Sequence, residues 1–139
     1  MNYWLVKTEP DAFGWPQQVE HGTEPWTGVR NHAAKANLAA MRHGDLAFFY
    51  HSNIGKEIVG IVEVVREAYP DPTAESGPWV CVDMQAQKPL TRPVTLAEIK
   101  ADPALAGMAL VKYVRLSVGP VTQVEWVHII RMSERAARD

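Results

Sequence analysis

Read as a strand, Asp45-Leu46-Ala47-Phe48-Phe49-Tyr50-His51-Ser52 is apolar on both faces. Leu46, Phe48 and Tyr50 alternate with Ala47 and Phe49, and successive side chains of a strand point to opposite sides. Such a strand has to be covered above and below, so a sheet with one bare, solvated face is excluded. Its neighbours follow from the same periodicity. Glu57 to Tyr69 reads as a long strand with Ile58, Gly60, Val62 and Val64 on one face, Gly60 marking a bend or a close approach. Trp79 to Lys88 reads as its antiparallel partner, across a loop spanning Tyr69 to Pro78. Tyr3 to Lys7 is a further strand, and Leu110 to Val118 another, ending at Gly119-Pro120.

Helix signals stand between these strands. Asn31 to Arg42 has an N-capping Asn, an Ala-rich body with Leu38 and Met41 inward, and Gly44 in place for the C′ position. The segment Asp11 to His21 is ambiguous, with Pro16 suited to the first turn of a short helix ending near Gly22. Two capping boxes, Thr95-Leu96-Ala97-Glu98 and Thr122-Gln123-Val124-Glu125, open a short helix and a C-terminal one. The latter is expected to turn Val124, Val127 and Ile130 inward. The order of elements predicts an α+β fold: a curved mixed sheet closing on itself, with small helices at its rim.

The 139 residues are expected to form one domain, 1–139, with a tail that frays from about 133. A single cysteine, Cys81, excludes a disulfide scaffold. No apolar run reaches the roughly 20 residues of a membrane helix. The N-terminus lacks the pattern of a signal peptide. A cytoplasmic monomer without membrane contact is therefore the expectation. The net charge of -2 argues against a protein that holds nucleic acid by phosphate neutralisation alone, though not against a local basic face.

The residues offer little for catalysis. Histidines at 21, 32, 43, 51 and 128 have no zinc spacing, and no phosphate loop or nucleophile elbow occurs. No metal, cofactor or catalytic residue is assigned. Instead, polar and aromatic residues gather at element ends: Trp26-Thr27-Gly28-Val29-Arg30-Asn31, Tyr50-His51-Ser52-Asn53 and Arg115-Leu116-Ser117-Val118. Trp26 and Asn31 can be read as a core Trp and an N-cap. They can equally be read as the stacking face and the hydrogen-bonding edge of a pocket for a planar heterocycle, where stacking contributes about 1–3 kcal/mol per base.

Taken together, these motifs resemble the EVE domain family, in the PUA-like superfamily and related to YTH domains, and are similar to the thymocyte nuclear protein family. The resemblance runs through Tyr3-Trp4-Leu5-Val6-Lys7-Thr8-Glu9-Pro10, Trp26 to Asn31, Gly44-Asp45, Tyr50 to Asn53, Gly60 to Val64, Ala68-Tyr69-Pro70-Asp71, Trp79 to Asp83 and Arg115 to Val121. It implies a PUA-like mixed β pseudo-barrel flanked by short helices. It also implies a non-catalytic reader that takes a flipped, modified base of DNA or RNA, 5-modified cytosine in DNA first, into an aromatic-lined pocket. Carried onto this chain, Trp26 and Tyr50 would be the aromatic walls. Asn31, Ser52 and the backbone near Gly28, Val29 and His51, with Asn53 beside them, would read base edges. Lys7, Arg30 and Arg115 would contact phosphate or shape the pocket, with Leu116 and Ser117 adjoining and Tyr69 and Pro70 at the rim. Trp4 fits core and wall equally. On this reading Trp26→Ala should abolish binding without unfolding the chain. A binder of small molecules or free nucleosides using the same pocket is the alternative, and an enzyme acting on a modified nucleotide is a third reading.

Overall fold

Phe48 and Phe49 are both fully buried, and they enter two different cores on opposite faces of one sheet. The computed structural model describes residues 1–135. In chain order the elements are β1 (Tyr3–Thr8), α1 (Pro10–Phe13), α2 (Trp15–His21), β2 (Thr23–Pro25), α3 (His32–Ala40), β3 (Leu46–His51), β4 (Glu57–Pro70), β5 (Val80–Thr95), α4 (Leu96–Ala101), a 3-10 turn (Pro103–Leu105), α5 (Ala109–Lys112), β6 (Val118–Val121) and α6 (Gln123–Glu134). The strands form one sheet in the order β2-β5-β4-β3-β1-β6. β1 runs parallel to β3, and every other pairing is antiparallel. The fold is thus the mixed α+β sheet with short helices that the pattern predicts.

The even positions of β3 pack with α6, where Phe48 stacks on Trp126 at 3.8 Å between ring centroids. The odd positions pack under α3, with Trp4, Ala34 and Leu38. Trp4 belongs to this core, and its Nε1 donates to the buried Asp45 carboxylate at 3.0 Å.

The long strands depart from simple alternation. β4 carries a bulge at Val59, since Phe49 pairs with Gly60 and Tyr50 with Ile58, and the β4–β5 ladder shifts at the same point. A bulge consumes a residue and inverts the faces beyond it. Ile58 therefore shares a core with Ile61, while Val62 and Val64 join Trp4 on the other side. β5 also runs on to Thr95, well past the expected Lys88, in spite of Pro89 and Pro93. β2 flanks it only over Asp83–Gln85, so those prolines lie on a stretch with a free edge, where a missing N–H is tolerated.

Gly60 is needed for contact rather than for its dihedrals. A Cβ there would sit 2.5 Å from the Trp15 indole, which is itself packed edge-on against Phe49. Gly60→Ala is expected to destabilise the fold by about 1–3 kcal/mol, as overpacking does. Urea unfolding checks this, and a wild-type midpoint would refute it.

Four other expectations are corrected. Leu110 to Val118 is not a strand: α5 and a turn occupy it, because Met108 and Leu110 are drawn into the core beneath. The strand is Val118–Val121, and Gly119-Pro120 lies inside it, with Pro120 on a sheet edge bonded only to β1. In α6, Val124 and Val127 face solvent, and Trp126, Ile129 and Met132 are the buried stripe. The period was legible but the phase is set by Trp126, which fills the space between Tyr3 and Phe48. α3 ends at Ala40 with Met41 as its C-cap, so Gly44 (φ +93°) is not a C′ residue. It serves the turn into β3, donating its N–H to the Val64 carbonyl at 2.8 Å. Fraying is not seen at 133, since Ser133 is buried within α6 and donates to the Ile130 carbonyl. The rest of that expectation, 136–139, lies outside the described residues. Among the described residues no helix is long and apolar enough to cross a membrane, and no three metal-ligating side chains converge.

Candidate functional site

The loop from Trp26 to Asn31 leaves the sheet at β2 and delivers the chain to α3. Trp26 is still tied to β5, its N–H donating to the Val82 carbonyl at 2.7 Å. Gly28 then takes φ +86°, which favours glycine, and this turns its N–H away from the sheet. The acceptor is Asp71, at 2.8 Å. At the far end Asn31 caps α3 through its side-chain oxygen and the Ala34 N–H.

Asp71 holds this loop. Its fully buried carboxylate also accepts from Arg30 at 3.0 Å and from both the N–H and the hydroxyl of Thr73. Burial by itself would raise its pKa. The hydrogen bonds from Thr73, Gly28 and Arg30 outweigh that and hold it well below the usual carboxylate range. Arg30 donates in addition to the Thr73 hydroxyl and lies 5.8 Å from the Trp79 ring, so it is a brace with an exposed flank. The β4–β5 connection, which reads as a simple loop in the sequence, is thereby the clamp on the Trp26–Asn31 loop.

Between that loop, the end of β1, α1 and Ser117 lies a cleft of about 480 Å³. Lys7, Thr8, Phe13, Glu24, Trp26, Thr27, Gly28, Val29, Arg30 and Ser117 are among its lining residues. Phe13 and Phe49 meet Trp26 edge-on, at 6.2 and 5.7 Å between centroids, which fixes the plane of the indole. Lys7 reaches across to the Val114 carbonyl at 3.1 Å, and burial lowers its pKa. The Val29 N–H and the hydroxyls of Thr27 and Ser117 have no partner among the described residues. The cleft therefore offers an aromatic wall, a cation, a carboxylate at Glu24 and uncommitted donors. That combination suits a flat, polar ligand.

The candidate residues separate into three groups. Lys7, Trp26, Gly28, Val29, Arg30 and Ser117 come together in the cleft. Asn31, Arg115 and Leu116 line a second groove of about 470 Å³ with Ala33, Tyr113 and Val114. The remaining candidates lie in neither. Tyr50 is not a wall of the cleft: it sits on the even face of β3 and packs with Ile58 in the opposite core. His51 accepts the Trp15 N–H at 3.0 Å through Nε2, and burial lowers its pKa against the opposing charge of Glu57. Ser52 and Asn53 fasten the β3–β4 turn to the end of β1, through the Thr8 carbonyl and the Glu9 carboxylate. Tyr69 donates to Asp83 beneath the Arg66 guanidinium, and Pro70 is exposed at the end of β4.

Thr8, Phe13, Glu24, Thr27 and Asp71 are the residues that sequence reasoning missed. Thr8, Thr27 and Asp71 lie inside quoted motifs, so that signal was present. Phe13 lies in the ambiguous segment Asp11 to His21 and Glu24 just beyond it, where no motif marks them. Trp26 is only 8% exposed. Its truncation would open the core as well as the cleft, so Trp26→Ala is not the fold-neutral test expected from sequence.

An α+β domain with a braced, aromatic-walled cleft at one end of its mixed sheet is the class these features define. The EVE domain model matches residues 2–132, and the chain belongs to the EVE domain family. Thymocyte nuclear protein 1 of Mus musculus is 37% identical over an alignment 172 positions long, spanning 96% of this chain and 74% of that protein. An NMR structure of a Rhodopseudomonas palustris protein is 62% identical with a TM-score of 0.92, covering 96% of this chain and 94% of that one. The crystal structure of human THYN1 protein in complex with 5-methylcytosine-containing DNA is 33% identical with a TM-score of 0.88, covering 99% of this chain and all of that one (100%).

Proposed function

We propose that this protein is a non-catalytic reader of a modified nucleobase, 5-modified cytosine in DNA, which it takes into the cleft beside Trp26. The observation that carries this reading is the cleft itself, whose roughly 480 Å³ lies within the usual span of ligand pockets. The DNA held by the human relative, similar along the whole chain, supports the choice of ligand. Glu24 adds to it, because a carboxylate is the natural acceptor for the exocyclic amine of cytosine. The uncommitted Val29 N–H and the Thr27 and Ser117 hydroxyls are donors for the remaining base edge and the sugar-phosphate. Extrusion is required, because inside a duplex the cytosine face is stacked and cannot meet the indole.

The test is a titration with short DNA and RNA oligonucleotides, single- and double-stranded, plain or carrying methylated or hydroxymethylated cytosine, followed by tryptophan fluorescence. The expected result is at least a roughly tenfold preference, about 1.4 kcal/mol, for one 5-modified cytosine DNA over its plain counterpart. Equal affinity for modified and plain strands would sink the reading. The overall charge of -2 favours one other occupant, a free nucleoside. That reading would show as saturable nucleoside binding with almost no salt dependence.

A further inference from the structure

We propose that the exposed Tyr113–Val114 turn is a wedge that enters the DNA duplex beside the extruded base. This rests on the base-reading function proposed above and concerns a surface outside the cleft.

Tyr113 is 57% exposed and Val114 68%, at the tip of the turn between α5 and β6. Two large apolar side chains standing side by side in water are what a partner surface covers. The turn is held rather than loose. The Tyr113 N–H donates to the Ala109 carbonyl at 2.8 Å, and the Leu116 N–H donates to the Tyr113 carbonyl at 3.0 Å. Lys7 of the cleft donates to the Val114 carbonyl. A wedge has to be preorganised in this way, because ordering it on contact would cost affinity.

The groove and the cleft adjoin at two points along the chain. Arg30 lines the cleft and the next residue, Asn31, lines the groove. Likewise Ser117 lines the cleft and Leu116 the groove. A ligand in the cleft therefore has its chain neighbours at the groove. The surroundings suit a polyanion in spite of the overall negative charge. Arg115 lines the groove, Lys112 ends α5 just before the turn, and Lys35 lies one helical turn after Asn31. Extruding a base leaves an open step in the stack, and proteins that distort DNA fill such steps with apolar side chains. Tyr113 offers a ring to stack in the gap, and Val114 a branched side chain to hold the neighbouring base aside. Positive side chains on both flanks then meet the two phosphates.

The experiment compares wild type with Tyr113→Ala/Val114→Ser and with Tyr113→Phe. The probes are a duplex carrying one 5-methylcytosine, with 2-aminopurine next to it, and the same modified strand alone. Both side chains are exposed, so a thermal melt should match wild type. The wedge predicts that the double variant loses roughly tenfold or more in duplex affinity. It should lose the rise in 2-aminopurine fluorescence as well, while Tyr113→Phe keeps both. Binding of the single strand, already unstacked, should change by less than about twofold. Wild-type duplex affinity in the double variant overturns the proposal and leaves the base-reading function intact. An equal loss on duplex and single strand overturns it too, because the turn would then be a general contact. If wild type itself shows no preference for the modified strand, the base-reading function fails first and the wedge falls with it.

Discussion

Trp26→Ala is expected to lower folding stability by roughly 3–5 kcal/mol, a large share of what a domain of this size has to spare. The indole is 8% exposed and packed between the rings of Phe13 and Phe49, so its removal opens a cavity between α1 and the sheet. Urea unfolding followed by circular dichroism measures the loss. An unchanged midpoint would mean that the ring is not part of the core. Binding by this variant has to be read on its folded fraction. Trp26→Phe separates the two roles more cleanly. A phenyl ring keeps most of the core contact but offers less surface for stacking, so the fold should hold while affinity for the modified strand drops several-fold, within the roughly 1–3 kcal/mol that one aromatic stack contributes.

Asp71→Ala is the second large effect, expected at about 2–4 kcal/mol. It strands the Gly28 N–H, the Thr73 donors and the Arg30 guanidinium together. Arg30 is 37% exposed and regains water, which keeps the cost below that of a fully buried broken pair. Binding should fall with stability, because Gly28 and Val29 line the cleft and lose their anchor. The pH dependence has a definite sign. The folded pKa of Asp71 is depressed, so its contribution is fully present above the unfolded value of about 4. It is lost as pH falls from there through the folded value. Asp71→Asn should therefore lose stability at neutral pH and show a shallower decline in acid. An acid-unfolding curve parallel to wild type would remove Asp71 from its role as clamp.

Much of the local structure is legible in the sequence. The capping boxes at Thr95 and Thr122 and the Asn31 cap form as written, because a cap is an agreement between residues three apart. The two-faced burial of β3 also follows, since Phe48 and Phe49 cannot both reach one side of a strand. What failed had a non-local cause. The phase of α6 depends on the gap that Tyr3 and Phe48 leave for Trp126. The faces of β4 depend on a bulge at Val59 set by its pairing with β3 and β5.

The candidate site divides in the same way. The loop from Trp26 to Arg30 was visible, because a Trp and a Gly between a strand and a capped helix already describe a turn with an aromatic on it. Tyr50 lies on the face away from the cleft, because sequence adjacency to polar residues says nothing about which face of the sheet the cleft occupies. In the sequence Asp71 is one acid in a loop. Its partners stand more than 40 positions away at Gly28 and Arg30, and only the folded chain brings them within hydrogen-bond reach. By itself, then, the sequence determined the helix caps, the two-faced burial of β3 and the loop that carries the indole, since all of these follow from spacing along the chain. The tertiary structure decided where the cleft lies, which side chains line it and what holds it open, since those depend on contacts between residues that only folding makes neighbours.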